Sequence, residues 1–348
     1  MSTSDVGREG IGGARPGREA MIGQGGHRPD GRRGRGGRRG RRGERAMVPD
    51  AEFRSYYGKP ILNPPVWKAA DIAGYFFLGG LAGAGSVLAA GAHWTGRPAA
   101  ARALKASSLA AISGSTAALI HDLGRPGRFY NMLRVMKPTS PMSMGSWLLA
   151  AYGPLAGAAA VLDVTGLFPR LGHAATAGAA AFGPGVAAYT AVLAADTAVP
   201  AWHEGFRELP FVFVGSAAIA ASGMALVAAP PRETAPMRTA AVCGAALELG
   251  ATKLMERRLG MIAENYREGT GGRLMRAAQA LTVAGAAGGA LLGGRNRTAA
   301  ALAGAALLAG SACTRFGVFH AGMRSAEDPK YTVVPQRERI RERAAEPA

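Results

Sequence analysis

From Trp67 onward the sequence carries eight apolar stretches, each about 17 to 27 residues long, enough at about 1.5 Å per residue to cross a hydrocarbon core about 30 Å thick. They run approximately Trp67 to Ala92, Ala103 to His121, Met142 to Leu162, Leu171 to Val199, Phe211 to Ala229, Met237 to Met255, Leu274 to Leu292 and Thr298 to Phe319. A soluble helix alternates an apolar with a polar face, and these stretches mostly do not. Only structures that satisfy their own backbone can span lipid. The expected fold class is therefore all-α integral membrane, an eight-helix transmembrane bundle over residues 51–325. The sixth stretch departs most from this pattern, because Glu248 and Lys253 lie inside it. Small residues recur at spacings such as Gly79-x-x-x-Gly83 and Gly285-x-x-x-Gly289; they let helix backbones approach closely where lipid offers no hydrophobic drive.

The mean hydropathy of +0.07 understates this body, because residues 1–50 form a Gly/Arg-rich polar tail that dilutes it. The run from Gly31 to Arg45, GRRGRGGRRGRRGER, also supplies much of the formal charge of +18. Such a segment cannot bury enough surface to fold, so a disordered basic tail is expected. Three readings stay open for it: binding of nucleic acid or anionic lipid through phosphates, a basic flank that fixes topology, or an over-extended start with Met47 as initiator. For the whole chain, membrane lipid is the expected partner and nucleic acid is not. No apolar h-region with a small-residue cleavage site follows the paired arginines, so they are not read as an export signal. Residues 326–348 read as a polar, charged C-terminal tail. The two cysteines, Cys243 and Cys313, stand far apart in apolar stretches. They are expected to be buried small residues, and a chain with two thiols cannot supply the four that an iron–sulfur cluster takes.

An even number of spans puts both termini on one side, here the N side. Its loops carry Arg125, Arg128, Arg134, Lys137, Arg207, Arg257, Arg258, Arg267 and Arg273; the opposite loops carry Arg97, Arg102, Lys105, Arg170, Arg232, Arg238, Arg295 and Arg297. With the tails added, the N side is the more positive and is expected to face the cytoplasm.

Helix direction places Asp71, Tyr75, His121, Asp122, Tyr189 and Asp196 in the N-side half, with Tyr75 and Tyr189 roughly 10 to 15 Å below that surface. Ionisable groups at membrane depth are costly, so their convergence marks a candidate site. Plain roles stay open for each: Tyr75 as an interfacial aromatic, Asp122 capping a helix or pairing with Arg125, Tyr189 as a structural phenol, Asp196 as a helix-end carboxylate. Glu248, Lys253 and Glu256 read as a structural ion pair or, alternatively, a proton relay. The six histidines lie in the tail or at segment ends; no two stand at mid-membrane to ligate a haem, and no haem is expected. No metal site is expected either. The connection from His121 to Trp147 is long, charged and punctuated by Gly, Pro and aromatics, which marks it as a folded binding surface rather than a joint.

Residues 120–134 (IHDLGRPGRFYNMLR) with 137–147 (KPTSPMSMGSW) resemble the connection between the second and third helices of the NrfD/polysulfide reductase membrane-subunit family. Residues 75–85 (YFFLGGLAGAG) resemble that family's first helix, and YTAVL from Tyr189, PAW from Pro200 and LPF from Leu209 its fourth-to-fifth region. The resemblance covers about residues 55–320. It implies a subunit without redox metals of its own that exchanges electrons and protons with a quinone, menaquinone or ubiquinone, in the cell membrane. It also implies docking to a four-cluster, ferredoxin-like iron–sulfur subunit, and through it to a molybdopterin catalytic subunit or a multihaem cytochrome. By position, Tyr189 matches the tyrosine that hydrogen-bonds a quinone oxygen and Asp122 the carboxylate ending the second helix; Asp71, Tyr75 and Leu119 complete the implied quinone site. Tyr75 stands where some relatives have a histidine and Asp71 where they have an amide, which leaves the proton partner of the second quinone oxygen open. Arg125, Arg128 and Arg134 read as docking groups for the iron–sulfur subunit or as anchors to lipid phosphate. Many relatives place the site on the outer face, whereas the charge count here favours the cytoplasm. Two readings from other classes remain, a proton channel or transporter using Glu248 and Lys253, and a purely structural anchor.

Overall fold

A computed structural model describes residues 6–7, 10–11 and 61–345. In the N-terminal unit, Val6–Gly7 pairs antiparallel with Gly10–Ile11; the expectation of a disordered tail otherwise lies outside the described residues. The second unit, 55–348, holds helices joined by loops in its described part, with no strand among its described residues. Its helices are α1 (Ala69–Trp94), α2 (Pro98–Asp122), α3 (Pro141–Thr165), α4 (Pro169–Ala195), α5 (Pro200–His203), α6 (Leu209–Ala228), α7 (Ala235–Arg258), α8 (Glu264–Arg267), α9 (Gly269–Leu291), α10 (Arg297–Glu327) and α11 (Lys330–Ala345).

Proline and capping chemistry set the helix starts. Pro98, Pro141 and Pro169 open α2, α3 and α4, where the missing N–H costs nothing and φ is already helical. Consequently α2 begins several residues before Ala103. The Asn296 side chain accepts from the Thr298 and Ala299 amides at 2.8 and 3.2 Å to cap α10, and α3 stops at Gly166, whose φ of 70° is left-handed.

Among the described residues, six helices are long and apolar enough to cross a membrane: α1, α2, α3, α4, α6 and α10. The expectation of eight such spans is thus met in six. Helices α7 and α9 are comparably long but are interrupted by Arg238, Glu248, Lys253 and Glu256 in one and by Arg273 and Arg276 in the other. The eighth stretch extends past Phe319, with α10 running to Glu327. The supposed tail beyond it forms α11, whose Tyr331 is buried in the core shared with Trp202 and Tyr266.

The packing suits lipid. Large side chains such as Val161, Leu171, Phe182, Phe211 and Leu302 point outward, while alanine dominates the buried set. Helices α1 to α4 form one group and α6, α7, α9 and α10 another, joined where α1 packs on α6. Each group closes on a glycine contact: a Cβ at Gly83 on α1 would overlap the Gly183 carbonyl on α4, and one at Gly223 on α6 would sit 2.7 Å from the Gly304 carbonyl on α10. Larger residues there would force the helices apart.

Candidate functional site

The N-terminal turns of α1 and the C-terminal ends of α2 and α4 meet at one end of the first group. Asp71 Oδ2 lies 3.0 Å from His121 Nδ1, with the Asp71 side chain largely covered and His121 open. Asp122 lies beside Asp71 and His121, with the Lys68 backbone N–H directed at its carboxylate; among the described residues it makes no ion pair with Arg125. Tyr75 is 1% exposed, and its ring meets that of Tyr189 edge-on at 6.2 Å. Leu119 and Tyr189 pack against the same apolar cluster, which includes Ile72 and Ala194. The sequence therefore brings Asp71, Tyr75, Leu119, Asp122 and Tyr189 together. Asp196 is the exposed cap of α4 and stands apart from this contact set.

Two features of Tyr189 combine at this end of the group. Its hydroxyl is buried yet bonds to no other described residue. Its ring also occupies space that Gly145 of α3 leaves open, since a Cβ there would overlap Tyr189 Cε2 and come within 2.9 Å of Cδ2. A buried hydroxyl without a partner costs roughly 1–3 kcal/mol, which a ligand accepting its hydrogen bond would recover.

The connection from α2 to α3 folds as a 3-10 turn, Pro126–Leu133, with no buried residue. Arg125, Arg128 and Arg134 are exposed, beside Phe129, Tyr130, Val135 and Met136, which are also exposed. The turn is pinned to α3 because Ser143 Oγ donates to the Val135 carbonyl at 3.0 Å and accepts from the Lys137 amide at 3.0 Å. An ordered face carrying cations and aromatics lies next to the polar cluster.

Other polar groups settle differently from the sequence expectation. Glu248 turns inward, away from Lys253, which is exposed. Thr314 Oγ1 donates to Glu248 Oε1, and beside it Arg315, 0% exposed, donates to the Phe213 carbonyl at 2.6 Å with its guanidinium over the Phe213 ring. Glu256 pairs instead with Arg267 at 3.2 Å. Arg315 stands outside the sequence-derived candidates, although a lone arginine inside an apolar stretch is itself the signal. Lys105, counted among loop charges, is buried within α2 and bonds to Asp163 at 2.8 Å. Cys243, expected to be buried, is exposed, because α7 turns it to the outer surface.

A family model described as "Polysulphide reductase, NrfD" matches residues 60–235, which span α1 to α6 and therefore the whole of this cluster. No curated protein matches the chain.

Proposed function

Because the chain belongs to the NrfD (polysulphide reductase) family, and so is a multi-pass membrane subunit of the polysulfide reductase-like kind, we propose that it binds a quinone between α1, α2 and α4 and connects it to an iron–sulfur partner. The observation that carries this reading is the buried, unpartnered hydroxyl of Tyr189 beside Tyr75 and the Asp71–His121–Asp122 group. A bound quinone supplies the redox chemistry, taking two electrons and two protons to become the quinol or returning them.

The chain's own residues do the rest. Tyr189 donates to one carbonyl oxygen and orients the ring. Leu119, Ile72 and Tyr75 provide the apolar walls that keep water from the headgroup. Asp71 and Asp122 hold exchangeable protons at the site's rim, and His121, open to solvent, passes them on; acid–base groups of this kind contribute about 10²- to 10⁴-fold. Gly145 keeps Tyr189 in its working orientation. The arginine and aromatic face of the α2–α3 connection lies beside these residues, where an iron–sulfur subunit can bring a cluster within electron-transfer range, with a molybdopterin subunit or multihaem cytochrome beyond it. A transport role through Glu248 and Lys253 has less support, since those side chains point in opposite directions.

The test is quinone-analogue binding and quinol-linked electron transfer in the purified complex. Tyr189→Phe should weaken analogue binding about 10- to 100-fold, the worth of a buried hydrogen bond of about 1–3 kcal/mol. Asp122→Asn should slow electron transfer with a smaller effect on binding. Unchanged binding and turnover in both variants would sink the assignment.

A further inference from the structure

We infer that the groove between α2 and α3, at the end of the bundle away from Tyr189, binds an anionic glycerophospholipid, with one acyl chain in the groove and the phosphate on Arg102. This site is independent of the quinone reading.

The groove follows from how α2 meets its neighbours. Helix α2 packs closely along α1 and touches α3 far less, so the outer sides of α2 and α3 part. Between them lies a space of about 420 Å³, walled by Ala106, Leu109 and Ala110 on α2 and by Ala160, Val161 and Val164 on α3, a size within the range of clefts that hold small molecules. Both helices are long and apolar enough to cross a membrane, and Ala106, Ala110, Val161 and Val164 are exposed. The groove therefore opens sideways, toward hydrocarbon. Gly157 and Gly153 fall three and seven residues before Ala160, on the same face of α3. A Cβ at Gly153 would meet nothing within 4 Å, so space for a chain continues toward the middle of the helix.

The head of the groove is charged. Arg102 lies one turn before Ala106 on the same face of α2, and Asp163 stands two residues before the end of α3, so the two meet near the helix ends, at the level of lipid headgroups. Asp163 is already held there, because the buried Lys105 places its Nζ 2.8 Å from Oδ1. Arg102 adds a single contact, Nε to Oδ2 at 3.3 Å, from a side chain that is 62% exposed. Its Nη1 and Nη2 bond to no other described residue. Two cations against one carboxylate leave a positive charge at the groove's head. Glu233, the other carboxylate at this end of α2, accepts from the Ala100 amide at 2.9 Å, two residues and about 200° round the helix from Arg102.

A structural bridge between α2 and α3 accounts for Lys105 and Asp163. It requires neither the exposed second cation nor the apolar space beneath it. A guanidinium fork takes two phosphate oxygens at once, and a cation above an apolar groove matches a molecule with one anionic end and a hydrocarbon remainder. An uncharged quinone tail or a helix of another subunit would use the groove but not Arg102.

The test uses the chain with its co-purifying subunits in detergent solution. The probe is phosphatidylglycerol carrying a photoreactive group in one acyl chain. Labelling should fall on residues 106–110 and 160–165. Unlabelled phosphatidylglycerol should displace the probe at a concentration about fivefold below that of phosphatidylcholine with the same chains, the preference expected of one basic side chain at a membrane surface. Arg102→Gln should abolish that preference while labelling continues, and Arg102→Lys should keep most of it. Ala110→Phe, which fills the groove from its exposed side, should cut labelling by about tenfold. Both positions are exposed, so helix content by circular dichroism should be unchanged.

Equal displacement by the two lipids in the parent, or a preference that survives Arg102→Gln, would overturn the phosphate contact. Labelling of the same residues by an uncharged quinone with a photoreactive tail, undisturbed by phosphatidylglycerol, would give the groove to a quinone. Absence of lipid labelling together with a crosslink from Ala106→Cys to a co-purifying subunit would make it a helix interface instead. Failure of the parent to bind a quinone analogue would sink the quinone reading and leave the lipid result standing.

Discussion

The two helix groups handle buried polarity in opposite ways. In α1 to α4, polar side chains are strung along the helix interfaces and open to the surface at both ends, at Asp71–His121 on one side and at Arg102–Asp163 on the other. In α6, α7 and α10 they are gathered inside the group: Glu248 with Thr314, Arg315 with the Phe213 carbonyl, and Ser216 with Ser311 at 2.8 Å, while Glu248 Oε2 and Arg315 Nε and Nη1 are buried with no hydrogen-bond partner among the described residues. Groups that open at both ends stay within reach of water, whereas buried groups bonded from one helix to the next hold those helices in register. The two groups therefore differ in whether their buried polar side chains reach the surface.

The largest expected effect falls on that inner set. Glu248→Leu leaves the Arg315 guanidinium buried without the carboxylate near it, and leaving a buried charge uncompensated costs about 3–5 kcal/mol. Chemical unfolding in detergent should show that loss, and the double replacement Glu248→Leu/Arg315→Met should recover part of it. A single replacement that costs under about 1 kcal/mol would mean the second group does not depend on its buried charges, and the contrast between the halves would lose its basis.

A smaller effect is expected in the first group at Gly145. Gly145→Ala pushes a methyl group into the Tyr189 ring, an overpacking that costs about 1–3 kcal/mol. Because the ring can tilt away, the loss should fall on quinone-analogue binding, by about tenfold, with the helix content unchanged by circular dichroism. If binding survived and folding failed, Tyr189 would belong to the scaffold and the two groups would be more alike than proposed.

Much of this division was legible in the residues. The apolar stretches and their proline and glycine punctuation located the long helices, and the connection at residues 120–147 marked the end at which Asp71, Asp122 and Tyr189 converge. The placement of α7 and α9 was less legible, because their charges blunt the apolar signal while inter-helix packing still keeps them long. The direction of a side chain around its helix was hidden as well. Glu248 and Lys253 sit five residues apart, so one turns inward and the other outward, and only the neighbouring helices decide which. Lys105 reads as a loop charge in sequence because its partner, Asp163, lies on another helix. Arg315 needed only to be counted as a lone cation in an apolar run.

The smallest expected effect concerns how the second group is closed at its end, where α11 lies against α8. Lys330 Nζ is 3.0 Å from Glu264 Oε2, to which Tyr331 also donates at 3.3 Å. The hydrogen bond and charge of Lys330 hold the Glu264 carboxyl below its ordinary range, and the same bond raises the Lys330 ammonium above its own. A lowered carboxyl contributes stability above its unfolded pKa, near 4.3 for glutamate, and loses it as pH falls through the lowered value. A raised ammonium contributes below its unfolded pKa, near 10.4 for lysine, and loses it as pH rises through the raised value. The clasp is therefore complete from weakly acid to weakly alkaline pH and fades outside that window. Both partners are solvent-exposed in part, so salt should weaken it as well. Limited proteolysis of α11 should quicken modestly at acid pH and at high ionic strength, and Glu264→Gln should remove the acid response while leaving quinone-analogue binding unchanged. Proteolysis indifferent to pH, salt and that substitution would show that Tyr331 packing alone holds α11, so that the second group is closed by apolar contact at its end and by charge only in its interior.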